Sequence, residues 1–186
     1  MAYNFKYRYK LLEMFDKNLI NSIKEKLIEN HQSIAAAESV TAGLVQAALA
    51  SADDASLFFQ GGITAYNVGQ KCRHLLVEPL HALECDSVSE RVAQDMSIQV
   101  CTLFTSDYGI GITGYAAKVP EKNINELHAY YAIALKEKII NSGKLKTNIE
   151  EGLPAQLFYV NALLNKLRIA LKIRMTESKY KIEPTG

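Results

Sequence analysis

The strongest constraint in this chain is an alternation. Four short apolar runs, residues 33–37, 63–66, 108–113 and 129–135, recur along it, and segments of helical spacing lie between the first three. Runs of four to seven residues bounded by Gly, Pro or polar clusters read as strands, not helices. Strand–helix–strand order predicts right-handed crossovers and a parallel sheet with helices on both faces. No helical segment separates residues 129–135 from the weakly alternating 144–149, so at least one antiparallel joint is expected there. The predicted fold is α/β, a three-layer α/β/α sandwich with a mixed, mostly parallel sheet of about five strands.

The helical segments have readable faces. Leu12, Phe15, Leu19, Ile23 and Leu27 recur at three and four. Residues 41–51 and 69–77 read as helices, with Pro79 ending the second. The run Ser87-Val88-Ser89-Glu90 fits a capping box in front of a helix to about Phe104. Gly61-Gly62 reads as a turn before the second strand. Pro154 opens a last helix to about Met175.

Three segments lie outside a simple core. Residues 1–10 alternate Tyr3, Phe5, Tyr7 and Tyr9 against Asn4, Lys6, Arg8 and Lys10, which predicts an extended aromatic arm. An edge strand or a contact to a second copy of the chain, as in a homodimer, fits the arm better than a base-stacking strip. Residues 11–175 form one domain, and residues 176–186 a polar tail expected to fray. The 21 basic and 20 acidic residues leave no basic excess for nucleic acid. The longest apolar run, residues 129–135, falls short of the ~20 a membrane helix needs. Cys72, Cys85 and Cys101 are odd in number and lack CxxC spacing, so a reducing cytoplasm is the expected setting. A zinc reading of Cys72, His74, His81 and Cys85 matches no usual ligand spacing, so no metal is expected.

Chemistry concentrates at three junctions. Ala37-Glu38-Ser39-Val40-Thr41-Ala42-Gly43 joins a strand to a helix, where α/β ligand sites form and a helix N-terminus favours an anion. Capping by Ser39 or Thr41 is the simpler reading of that run alone. Tyr66 ends the second strand, with Lys71 a helical turn beyond. A lysine beside a serine hydroxyl can act as its base if desolvation depresses its pKa. Gly114-Tyr115-Ala116-Ala117 follows the third strand as a natural binding loop.

Taken together, AAAESVTAG, GGITAYNVGQK, SVSERVA and YGIGITGYA resemble the C-terminal domain of the CinA (competence/damage-inducible) family, over about residues 20–172. The resemblance implies an amidohydrolase of the kind that deamidates nicotinamide mononucleotide, with no cofactor. Ser39 matches the family nucleophile in A-E-S-C-T-G-G, and Tyr66 and Lys71 match the Tyr and Lys of T-Y-S-N-x-x-K. The implied mechanism has Lys71 take the Ser39 proton, Tyr66 assist, and amides at the start of the following helix hold the oxyanion. Substrate contacts are implied for Glu38, Thr41, Ala42 and Gly43, and for Gly114, Tyr115 and Ala116. It also implies a stand-alone form of a domain that longer members carry behind another.

The chain departs from the family pattern in two places. The glycine-rich G-x-A-G-P-x-G-G stands here as Gly114 to Glu121 with Ala117 at the second glycine and Pro-x-Gly-Gly lost. Gly152-Leu153-Pro154 replaces G-D-R, and Leu157 and Phe158 stand where a second Arg falls. These changes predict a reshaped or blocked pocket. They leave two further readings open, a catalytically inactive binding or interaction protein, and an amidase for a less anionic substrate.

Overall fold

The computed structural model describes residues 14–149 and 151–180, with side chains to residue 172. The aromatic arm and residues 181–186 of the tail lie outside the described residues. The elements run α1 (Lys17–Glu29), β1 (Ile34–Glu38), α2 (Leu44–Ala50), a 3-10 turn (Ala55–Leu57), β2 (Phe59–Thr64), α3 (Val68–Leu75), α4 (Pro79–Glu84), α5 (Glu90–Phe104) and β3 (Tyr108–Gly114). A second 3-10 turn (Pro120–Lys122), β4 (Leu127–Leu135), β5 (Lys138–Thr147) and α6 (Leu153–Tyr180) complete the order.

The sheet is mixed and five-stranded, in the order β2-β1-β3-β4-β5. β1 pairs in parallel with β2 and β3, while β3–β4 and β4–β5 are antiparallel. Parallel joints are therefore half of the total rather than most of it. The tight Lys136-Glu137 hairpin, with Lys136 at φ 53°, makes the expected β4–β5 joint, and the second antiparallel joint arises because a loop with one 3-10 turn, not a crossover helix, links β3 to β4. β5 accordingly starts at Lys138, well before the expected residue 144.

Each face of the sheet is covered by helices. On one face Leu19, Ile23 and Leu27 of α1, Val45 and Leu49 of α2 and Tyr159, Leu163 and Leu167 of α6 bury Ile34, Ile110, Ile112 and Ile133. On the other, Ala35 and Ala37 meet Leu75, Val77, Val92, Met96 and Val100. The alanine-rich β1 and the glycines of β3 share a cause. A Cβ on Gly109 would stand 2.0 Å from the Ser97 carbonyl oxygen, and one on Gly111 2.1 Å from that of Ala93. Only small residues let α5 lie this close to the sheet. Poor strand formers are used here because packing outweighs propensity.

Several local expectations are corrected. Gly61-Gly62 does not turn the chain; both lie inside β2, where the register skips Gln60 between the Ile34–Phe59 and Ala35–Gly61 pairs. This is a bulge, and the φ of 117° at Gly61 accommodates it. The first turn predicted from residue 41 is a loop, and α2 begins at Leu44. The α5 cap is Ser89, whose hydroxyl accepts from the Val92 amide. Glu90 is then the first helical residue, too early to reach back, and its carboxylate accepts from Ser142 instead. α6 continues past Met175 to Tyr180. No helix among the described residues is long and apolar enough to cross a membrane.

Candidate active site

The three junctions meet. β1, β2 and β3 are parallel neighbours, so the residues that follow them emerge at one carboxyl edge of the sheet. A cleft of about 540 Å³ opens there, lined by Ser39, Tyr66, Lys71, Thr113 and the 114–117 loop, with Asp86 and Gln156 closing its sides. Its volume suits a small organic ligand. The loop that lost its glycines does not block it. Tyr115 stands at the edge, its hydroxyl turned aside to donate to Asp86 at 2.9 Å.

Ser39 sits just beyond β1, 6% exposed, with its amide bonded to the Ile112 carbonyl at 3.0 Å. Its carbonyl accepts from Ala42 at 3.2 Å. Its hydroxyl has no hydrogen-bond partner among the described residues and lines the cleft. It does not cap α2, which settles the simpler reading of this residue.

Glu38 performs that task. It is fully buried, and its carboxylate accepts from Thr41 Oγ1 at 2.6 Å and from the amides of Gly43, Val45 and Gln46 at 3.1, 3.0 and 2.8 Å. A carboxylate on first-turn amides satisfies both the orphan donors and the positive end of the helix. Two expectations change. The amides of α2 are spent on Glu38 and are not open to an oxyanion. Glu38, Thr41, Ala42 and Gly43 stand behind Ser39 as its support and do not line the cleft. Ala42, at φ 52°, and Gly43, at φ 98°, make the left-handed turn that brings the start of α2 onto Glu38. The Val40 amide, next along the chain from Ser39, has no acceptor among the described residues, and Val40 lines the cleft. Gln156 fixes that residue by donating to the Val40 carbonyl at 2.8 Å.

Lys71 is 2% exposed, unusual for an amine with no carboxylate on it. α3 is capped by Asn67, whose side chain accepts from the Gln70 amide, and it carries Lys71 inward on its buried side. The Lys71 amine donates to the Tyr66 carbonyl at 3.1 Å. Burial lowers its pKa below the ordinary lysine value, and the more distant charge of Asp86 offsets part of that. Tyr66 is 74% exposed, and its hydroxyl engages neither Ser39 nor Lys71. The backbone of Tyr66, not its phenol, holds the amine.

Asp86 and Ser87 went unrecognised in the sequence as site residues. Both take left-handed φ, 51° and 58°. The Ser87 amide donates to Ala82 at 2.6 Å and its carbonyl accepts from Thr113 at 2.8 Å, which holds the pair against the cleft. Lys122 donates to Asp86 at 2.7 Å and, with Tyr115, keeps that carboxyl below the usual carboxylate range. A non-glycine pair at positive φ has no signature in composition or spacing. Of the residues weighed for zinc, His74 pairs with Gln70, His81 with Ser89, and the Cys85 thiol with the His81 carbonyl.

The fold and cleft define a class: a three-layer α/β domain with a cleft at the carboxyl edge of its parallel strands. The CinA C-terminal domain family matches residues 16–148, and the chain belongs to that family. It is 40% identical over 101 residues to a putative competence-damage inducible protein of Streptococcus pneumoniae strain 70585. That match takes in 54% of this chain and 24% of the relative, so only about a quarter of the relative's length is covered. Among solved structures, a CinA superfamily protein from Klebsiella pneumoniae 700603 superposes with a TM-score of 0.78 at 24% identity, covering 84% of this chain and 97% of that one. One from Escherichia coli gives 0.70 at 25% identity, covering 84% and 86%.

Proposed function

We propose that this chain is a CinA-type amidohydrolase that hydrolyses a primary carboxamide, nicotinamide mononucleotide or a related amide, with Ser39 as nucleophile and Lys71 as base. The observation that carries this reading is the burial of Lys71 in the cleft that Ser39 lines. A solvated ammonium stays protonated at neutral pH, whereas a buried one reaches its neutral form more readily. A buried amine without a carboxylate partner is costly to the fold, and such cost is concentrated where chemistry needs it.

Neutral Lys71 takes the Ser39 hydroxyl proton as Oγ attacks the carboxamide carbon. The Val40 amide donates to the oxyanion. The tetrahedral intermediate collapses, its C–N bond breaks, and Lys71 returns the proton to the leaving nitrogen as ammonia departs. Water attacks the Ser39 ester by the same base, releasing the carboxylic acid and regenerating the hydroxyl. Tyr66 supports the amine through its carbonyl. The test is ammonia release from nicotinamide mononucleotide and nicotinamide riboside, with Ser39→Ala and Lys71→Met as controls. Release from either compound that both substitutions abolish supports the reading. Release that survives Ser39→Ala refutes it, and so does no release from either.

A further inference from the structure

We infer that the cleft selects a carboxamide on a neutral or positively charged carrier over one that bears a phosphate dianion. This rests on the amidohydrolase reading for the word carboxamide, but the charge selection is read from the cleft wall itself.

Among the described residues, Lys71 is the single basic side chain that lines the cleft. It is buried, it is engaged with the Tyr66 carbonyl, and in its working form as a base it carries no charge to offer an anion. The charge that the wall does present is the Asp86 carboxylate. Its place is built, not incidental. Two successive left-handed residues, with the Ser87 amide on Ala82 and the Thr113 hydroxyl on the Ser87 carbonyl, set it beside the cleft. Lys122 answers that carboxylate at 2.7 Å from outside the lining, with about half of its own side chain in solvent. Its ammonium is therefore committed to Asp86 rather than presented to a ligand.

Helix ends give little in compensation. The amides of α2 are filled by Glu38. The N-terminus of α3 reaches the cleft at Asn67 and Val68, but Asn67 takes the Gln70 amide and no basic residue other than Lys71 follows nearby in the lining. The remaining polar surface is neutral, and Tyr66 and Tyr115 add aromatic faces that suit a cationic ring. A phosphate entering here would lose water and meet a carboxylate without a free counter-charge. Lys122 offsets part of that repulsion, but the remaining repulsion and the desolvation of a dianion with no free counter-charge are together worth on the order of ten-fold in affinity.

Nicotinamide riboside and nicotinamide mononucleotide share the same pyridinium amide and differ by the phosphate alone, which makes them the probes. Calorimetric titration of the full chain carrying Ser39→Ala measures binding without turnover. The expected result is riboside binding about ten-fold or more tighter than mononucleotide, with the gap narrowing at least about three-fold in a Ser39→Ala, Asp86→Asn double variant. Asparagine tolerates left-handed φ, so the turn is preserved. Mononucleotide binding as tight as riboside or tighter overturns the inference, as does a gap unchanged by Asp86→Asn or binding of neither up to millimolar concentration. Riboside preference in binding without ammonia release by the unsubstituted chain sinks the amidohydrolase reading and leaves the charge selection standing.

Discussion

Removing the Glu38 carboxylate is the sharpest perturbation the structure offers. Four donors converge on it: the Thr41 hydroxyl and the amides of Gly43, Val45 and Gln46. Glu38 is fully buried, so water does not replace it freely. Glu38→Ala orphans three amides and one hydroxyl. An orphaned buried donor costs about 1–3 kcal/mol, and relaxation of the α2 turn returns part of the sum, so a net loss of about 4–6 kcal/mol is expected. Glu38→Gln keeps the shape but sets an NH₂ against a donor and weakens the remaining bonds, for a loss of about 2–3 kcal/mol. Urea unfolding followed by circular dichroism reads both. A domain of ordinary stability does not survive the alanine change comfortably, and the glutamine variant keeps the measurement meaningful. The same glutamine variant tests the role of this residue. As a support it lowers turnover by moving Ser39 and leaves substrate affinity within about three-fold. Glu38→Gln that costs under about 0.5 kcal/mol, or that weakens binding without touching stability, refutes the assignment of Glu38 to the framework.

Three further outcomes follow from the same geometry. Lys71→Met abolishes ammonia release and raises stability by about 0.5–2 kcal/mol in thermal or urea unfolding near neutral pH, since it removes a desolvated amine; an unfolding midpoint that falls contradicts this. The sign is fixed by linkage. The folded pKa of Lys71 lies below that of the unfolded chain, so the unfolded state binds the extra proton, and wild-type stability rises with pH until the unfolded lysine titrates near about 10.4. Tyr66→Phe retains turnover within about three-fold, because the carbonyl and not the exposed phenol holds the amine; a hundred-fold loss returns the hydroxyl to the mechanism. Gly111→Ala destabilises by about 2–4 kcal/mol, since its Cβ falls 2.1 Å from the Ala93 carbonyl oxygen and α5 must lift from the sheet; an unchanged urea midpoint contradicts that contact.

The layered fold was legible because hydrophobic period and element length follow directly from burial. Residues 108–113 and 129–135 read as strands for that reason, but the antiparallel β3–β4 joint was not expected, since the loop and 3-10 turn between them carry no mark that sets strand direction. The antiparallel β4–β5 joint was expected from the absence of a helix after residues 129–135; the early start of β5 at Lys138 was not, because Lys136 adopts φ 53° without glycine or asparagine to announce the turn. Gly61-Gly62 misled because a bulge and a turn use the same residue. At the candidate site, the sequence singled out Ser39, Tyr66 and Lys71, and the structure brings all three to the lining of one cleft. The error was in the parts assigned to Glu38, Thr41, Ala42 and Gly43. A strand-end glutamate that caps the next helix is invisible to spacing, since the left-handed turn at Ala42 and Gly43 brings that helix's amides to it. Asp86 and Gln156 reach the cleft from distant elements, and tertiary placement of that kind leaves no local mark in the sequence.

Trapping the Ser39 ester is the most direct measurement of the central claim. Acid quench during turnover of a carboxamide, followed by intact-mass and peptide mass spectrometry, is expected to show one acyl adduct on Ser39, absent in Ser39→Ala and in Lys71→Met. Ammonia release with no adduct at Ser39 under single-turnover quench, or an adduct that forms as fast in Lys71→Met as in the unsubstituted chain, contradicts the Ser39–Lys71 mechanism.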